Sequence, residues 1–276
     1  MPKRKVEGRA GPLVVIGGAE DREEGCEVLR EFVRLAGGEE ARVLVIAVAS
    51  ERQAQLASVY TELFKRLGAA EVRALGISHR ERANSQVAEE AVARATGVFF
   101  TGGSQLRITR LLGGTLLDRA LHRGHRSGLV LGGTSAGASM MSAVMITGDA
   151  PGAPHRAGSV QLGRGMEFLP GVLIDQHFEE RGRLRRLITA VAQNPHDLGL
   201  GIDEDTAVVV RGDAFEVFGS GTVTVVDASD LTYTNLNEPE GNLPLTICGV
   251  KIHILSAGDR FDLARRAPLL PPAANI

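Results

Sequence analysis

Leu129 to Met140 read LVLGGTSAGASM, an apolar run that ends in one serine set among glycines and alanines. Such a run followed by small residues reads as a buried strand that turns abruptly into a helix. Gly133-Thr134-Ser135-Ala136-Gly137 fits the spacing G-x-S-x-G. Glycines two positions either side of the serine let the chain turn without Cβ clashes and leave the hydroxyl exposed at the bend. A helix starting near Ser135 would supply unpaired N–H groups and the positive end of a dipole, with the Ala136 N–H facing a developing oxyanion. The competing reading is a glycine-rich turn whose serine only caps the helix, since serine is a favoured N-cap.

Outward from this stretch, short β-branched runs alternate with helical periods. LVVIGG (13–18), RVLVIAVAS (42–50), AEVRALGI (70–77), GVFFTGG (97–103) and GLVLGGT (128–134) read as strands. Residues 22–36 and 51–67 carry apolar side chains at the i, i+3, i+4, i+7 spacing of helices lying on a sheet. This pattern predicts an α/β fold with a mostly parallel central sheet flanked by helices. Ligands of such sheets collect at the carboxyl ends of the strands. Residues 148–170 lack periodicity and read as a long loop, followed by a strand GVLIDQH, a helix to about Ala192 and a strand GLGI. AVVVRGDAFEVFGSGTVTVVDAS then reads as antiparallel hairpin strands with turns at Gly212-Asp213 and Gly219–Gly221. The expected organisation is a flexible N-terminus (1–11), one catalytic α/β domain (12–256) and a C-terminal tail (257–276).

With 276 residues, 43% hydrophobic and 23% charged, the chain has the composition of a folded domain rather than a disordered one. A formal net charge of -2 gives no field that would favour nucleic acid or an anionic membrane as a partner. Cys26 and Cys248 are unrelated in position and spacing, which suggests a reducing compartment and no disulfide framework. MPKRKVEGRAGP has charge but no apolar stretch of signal-peptide type. The expected location is therefore the cytoplasm. No His, Cys and carboxylate cluster has metal-ligand spacing, so neither a metal nor a cofactor is expected.

A serine nucleophile needs a base, and the base an orienting carboxylate. His79, His122, His125 and His196 lie in polar, surface-like surroundings, His155 lies in the loop, and His253 lies in an apolar strand as a packed residue would. His177 differs, because it ends the apolar strand GVLIDQH, with Asp175 and Gln176 beside it. Gly201-Ile202-Asp203-Glu204-Asp205 places carboxylates just past another short strand, where one of them can face His177. The bland alternatives are a capping or exposed histidine and an acidic turn.

TGGSQLR (101–107), GGTSAGAS (132–139), DQHFEERGRLRRL (175–187) and GIDEDTA (201–207) together resemble the cyanophycinase family, serine peptidases of the dipeptidase E-like group. The resemblance spans roughly residues 12–255, and four motifs in one order are far more specific than one. It implies a sheet of the class I glutamine amidotransferase-like, flavodoxin-like type, Ser135 as nucleophile, His177 as base and Glu204 as acid, with Asp203 and Asp205 as neighbours. It also implies a homodimer, and as substrate cyanophycin or another aspartyl peptide. Cyanophycin is a polyaspartate with arginine on each β-carboxyl, released as β-aspartyl-arginine. Such a substrate needs guanidinium groups for its carboxylates and amide or carboxylate groups for its guanidiniums. Gln105, Asp175, Gln176, Arg181 and Arg183 are the binding residues carried over, with Arg186 close by and Arg185 left to a solvated helix face. Ala136 and Gly103 are the oxyanion donors, Gly102 being the other glycine of that strand end. Ser104 departs from the acidic residue expected in the G-G-x-Q motif. That departure keeps open an aspartyl dipeptidase that cleaves α-Asp-X. A silent binding protein of the same fold is a further alternative, as is a nucleotide-binding domain, because VVIGGAEDREEG faintly resembles a dinucleotide loop without its G-x-G-x-x-G spacing.

Overall fold

The computed structural model of the chain describes residues 10–149, 160–236 and 244–269. Its centre is a sheet whose inner strands are apolar and buried on both faces. Five strands run parallel: β1 (Leu13–Ile16), β2 (Arg42–Ile46), β3 (Glu71–Ala74), β4 (Gly97–Phe100) and β5 (Val130–Thr134), in the order β1-β5-β4-β2-β3. The period-2 alternation of β1 sends Val14 and Ile16 to one face and Leu13 and Val15 to the other, so the run must be apolar throughout. On the first face lie α1 (Glu27–Leu35) and α2 (Gln53–Arg66), whose Phe32, Tyr60 and Phe64 pack with Phe99. On the second lie α3 (Arg80–Ala83), α4 (Gln86–Arg94), α5 (Gln105–Leu112) and α6 (Leu116–Arg126), through Ala83, Val92, Ile108 and Leu121. The helices begin later than the periodicity suggests; α1 starts at Glu27 rather than near residue 22, because the Asp21 carboxylate turns the intervening loop by accepting from the N–H groups of Glu23, Glu24 and Cys26.

After the short α7 (Ala136–Ser139), part of the expected loop at 148–170 proves to be strand. β6 (Val144–Asp149) and β7 (Val160–Arg164) pair antiparallel. The alternating Val160 and Leu162 pack on the cluster around Leu187 and Val191. Residues 150–159 of that loop, His155 included, lie outside the described residues, and 165–170 are irregular, with Met166, Phe168 and Leu169 buried in the core.

The strands that carry the candidate base and acid do not join the central sheet. β8 (Val172–Gln176) and β9 (Leu198–Ile202) pair in parallel within a second sheet, with α8 (Leu184–Gln193) over its outer face. The chain then returns to the first sheet, where β10 (Thr206–Arg211) runs antiparallel to β1 and pairs with β11 (Ala214–Gly219) around the expected turn at Gly212-Asp213. The turn at Gly219–Gly221 does not close a hairpin. It passes the chain to β12 (Val223–Asp227) beside β9 in the second sheet. β13 (Tyr233–Thr234) and β14 (Ile247–Cys248) make a small ladder, and β15 (Lys251–Leu255) forms the edge next to β12.

The expected C-terminal tail at 257–276 contributes strands where it is described. β16 (Arg260–Asp262) pairs with β11, and β17 (Ala267–Pro268) pairs with β16. The physical reason is Phe261, fully buried and stacked on Phe215 at 5.5 Å. Of the expected flexible N-terminus, residues 1–9 lie outside the described residues. Two histidines expected at the surface are half-buried: His122 stacks on Phe168 at 4.3 Å, and burial lowers the pKa of His125. His79 and His196 are exposed, and His253 packs against Phe261. Among the described residues no helix is long and apolar enough to cross a membrane.

Candidate active site

Ser135 stands between β5 and α7 with φ 53° and ψ -110°, a conformation that L residues rarely adopt. The glycines on either side permit it by close approach. A Cβ on Gly133 would lie 2.2 Å from the Gly137 carbonyl oxygen, and one on Gly137 would lie 2.3 Å from that of Phe100. Helix α7 is therefore pressed onto the ends of β4 and β5, and the Ser135 N–H is held by Ile16 O at 3.0 Å.

Three side chains from separate strand ends converge here. His177, directly after β8, places Nε2 3.1 Å from Ser135 Oγ and Nδ1 2.5 Å from Glu204 Oε1. The imidazole is largely shielded, its side chain 13% exposed, whereas Glu204 is 36% exposed at the rim. The neighbouring acids are used elsewhere. Asp203 accepts from Glu179 N, Thr222 N and Thr222 Oγ1, and Asp205 accepts from Asp21 N and Ser220 Oγ. Of the three carboxylates left open by residue reading, Glu204 is thus the one that meets the ring.

The loop after β1 underlies all three side chains. Besides Ile16 O on the serine, Gly17 O accepts from His177 N at 2.8 Å and Gly18 O accepts from Asp205 N at 2.9 Å. Gly18, at φ 112°, lies flat against the His177 ring, and a Cβ on it would be 2.4 Å from Cε1 and 2.5 Å from Nε2. Gly18→Ala must therefore push the ring off its line with Ser135. Its kcat is expected to fall about 100-fold, the scale of an ångström of misplacement, with steady-state kinetics as the measurement. Sequence reading did not single out this loop as part of the site. Paired glycines at a strand end are a signal of close backbone approach, and that signal was available.

On the other side of Ser135, a Cβ on Gly102 would be 3.5 Å from Ser135 Cβ, so the peptide that carries the Gly103 N–H lies beside the nucleophile. Gly103 is at φ 141° and leaves no room for a side chain, with Ala49 O 2.4 Å from where a Cβ would be. Ser104 caps α5, its Oγ accepting from Arg107 N at 3.3 Å. Gln105 is half-buried and donates Nε2 to Ile146 O of β6 at 2.9 Å.

The basic segment after His177 folds back onto β8. Asp175, 1% exposed, takes Nε of Arg186 at 2.9 Å and also Nη2 of Arg186, and it pairs with Arg183 Nη1 at 3.4 Å. Arg183 Nη1 also donates to Gln176 Oε1 at 3.0 Å and to the Gln176 carbonyl. Asp175, expected as a binding group, is too buried to meet a substrate; its carboxylate instead sets the directions of two guanidiniums. Arg181 is exposed. This site is a serine hydroxyl hydrogen-bonded to a shielded imidazole, itself hydrogen-bonded to a carboxylate. That is the arrangement needed to activate an alcohol for attack on a carbonyl.

The comparisons with known proteins agree with that chemistry. The model of peptidase family S51 matches residues 13–218. The chain is 42% identical over 266 residues to a cyanophycinase of Nostoc sp., covering 96% of this chain and 89% of that one. It is 39% identical over 260 residues to a cyanophycinase of Geminocystis herdmanii, covering 93% and 95%. Two solved structures share the fold. A peptidase from an acI-B1 Actinobacterium matches with a TM-score of 0.66 at 24% identity, over 93% of this chain and 98% of that one. A putative peptidase E from Listeria monocytogenes matches with 0.54 at 16%, over 77% and 100%. The expected fold class and family resemblance are both borne out, and a dinucleotide-binding reading of the β1 loop gives way to that of a peptidase. Most of the chain matches the family model, and relatives align along nearly its whole length: it belongs to peptidase family S51, the serine peptidases that its motifs resemble.

Proposed function

We propose that this chain hydrolyses cyanophycin to β-aspartyl-arginine with Ser135, His177 and Glu204 as its catalytic triad. The observation that carries the reading is the unbroken hydrogen-bonded line from Ser135 Oγ through the His177 ring to Glu204, at 3.1 and 2.5 Å. Ser135 Oγ attacks a main-chain aspartyl carbonyl while His177 Nε2 takes its proton, and the developing oxyanion meets the N–H groups of Ala136 and Gly103. His177 then gives the proton to the leaving amine. Water, deprotonated by the same nitrogen, hydrolyses the ester. Glu204 accepts the Nδ1–H throughout, which keeps Nε2 available as the base and stabilises the imidazolium.

The substrate reading is supported by the cyanophycinase relatives and by the groups around the triad. Each repeat of cyanophycin offers a carboxylate and a guanidinium. Arg181 and Arg183 are the carboxylate clamps, with Arg183 steered by Asp175 and Gln176. The amide oxygens of Gln105 and Gln176 are acceptors for the guanidinium. The chain acts in the cytoplasm as a homodimer. The edge strand β15, with Ile252 44% and Ile254 68% exposed, favours burial against a second copy.

The test is incubation with purified cyanophycin and with α- and β-linked Asp-Arg peptides, followed by mass analysis. Release of β-Asp-Arg from the polymer is the expected result. Cleavage of the α-linked peptide with the polymer untouched would make the chain an aspartyl dipeptidase instead.

A further inference from the structure

The triad leaves one buried acid without a task. Glu20, on the loop after β1, is 4% exposed, and its carboxylate accepts two hydroxyls: Thr134 Oγ1 donates to Oε2 at 2.5 Å, and the Tyr60 hydroxyl donates to Oε1. Thr134 is the last residue of β5 and immediately precedes Ser135. Tyr60 belongs to α2 and lies in the aromatic cluster under the sheet, its ring 5.1 Å from that of Phe99 and 6.1 Å from that of Phe64. One carboxylate therefore ties the rigid core on one side of the sheet to the nucleophile turn at its edge.

The turn needs such a tie. A non-glycine residue at φ 53° and ψ -110° persists only where its surroundings over-determine it. The Ser135 N–H bond to Ile16 O fixes the backbone on one side. The Thr134 side chain is the adjacent handle, and Glu20 holds it. An apolar residue at position 20 would fill the space but leave two buried hydroxyls unpaired, which is costly. Burial and the nearby acid push the Tyr60 hydroxyl's pKa far above its ordinary value, so it stays protonated and remains a donor to Glu20. The next residue, Asp21, locks the loop beyond Glu20 through three backbone N–H bonds, which leaves the acid little freedom to withdraw.

We propose that Glu20 is a positioning residue that, through Thr134, holds the strained Ser135 turn with Oγ in reach of His177 Nε2, and so sets kcat rather than substrate binding. The proposal rests on Ser135 being the nucleophile. Burying the charge is compensated by the two hydroxyls it receives, and the structural return is a serine already in its reactive conformation before substrate arrives.

The experiment compares the full chain with Thr134→Val, Thr134→Ser, Glu20→Gln and the double variant Glu20→Gln/Thr134→Val. Active sites are counted by labelling to completion with a fluorophosphonate, and kcat per labelled site and KM are measured on cyanophycin. Thr134→Val and Glu20→Gln are each expected to lower kcat per site about 10- to 100-fold with KM unchanged. Thr134→Ser, which keeps the hydroxyl, is expected to restore it. The double variant is expected to be no worse than the poorer single one, since both break the same link. A purely structural role would reduce the number of labelled sites or the thermal midpoint and leave kcat per site as in the unaltered chain, and that result overturns the proposal. If Glu20→Gln does not fold, the contrast between Thr134→Val and Thr134→Ser decides by itself. Failure of the unaltered chain to label at Ser135 would instead overturn the nucleophile assignment, and the proposal with it.

Discussion

Ser135→Ala is expected to lose at least about 10⁴-fold in kcat on cyanophycin while folding as before, because the substitution removes the attacking atom and nothing else that the elbow needs. Alanine keeps the Cβ, and the close contacts of Gly133 and Gly137 that shape the turn do not involve the hydroxyl. What is lost is one hydrogen bond to His177 Nε2. Substrate binding draws on groups away from the missing oxygen, so the variant should still hold cyanophycin fragments. Calorimetric titration of the variant with β-Asp-Arg oligomers, beside its residual turnover, separates a lost nucleophile from a lost binding site. Residual activity near that of the unaltered chain would remove Ser135 from the chemistry.

Glu204→Gln is the second large effect. The amide keeps the size of the side chain but removes the charge that stabilises the imidazolium, and its NH₂ group can turn the ring to the tautomer with Nε2 protonated. A kcat loss of about 10³- to 10⁴-fold is expected, with KM little changed. Its neighbours provide the contrast. Asp203 bonds to Glu179 and Thr222 and is 7% exposed. Asp203→Asn should therefore lower the thermal midpoint far more than Glu204→Gln, and kcat far less. Parallel melts and kinetics on the two variants test this. Equal kcat losses would mean that the acid has been assigned to the wrong member of the run.

The central sheet was legible because β1, β2, β4 and β5 are apolar on both faces, and the helices between them carry one apolar stripe each. Ser135 was legible because G-x-S-x-G demands a particular bend, and His177 because, among the described histidines, it is the one that ends a buried strand. Glu204 was less so. Residue chemistry could not rank it above Asp203 or Asp205, since which carboxylate faces the ring depends on how the chain turns after β9, and family resemblance made the choice. The second sheet was hidden for a similar reason. β8, β9 and β12 have the apolar character of central strands, and nothing in a single strand says which sheet it joins. Strands β16 and β17 were not legible because Phe261 is one aromatic residue in a polar stretch, and its partner Phe215 is distant in sequence. The roles of Glu20 and Gly18 were not legible because they are contacts across the fold: a carboxylate reaching Thr134, and a missing Cβ that makes room for an imidazole.

The most direct test of the triad is peptide mapping after reaction with a fluorophosphonate. One equivalent of label on the Ser135 peptide, loss of cyanophycin hydrolysis in step with labelling, and no labelling of a folded His177→Ala variant is the expected result. Label on another residue, or hydrolysis that continues with Ser135 fully blocked, would contradict it.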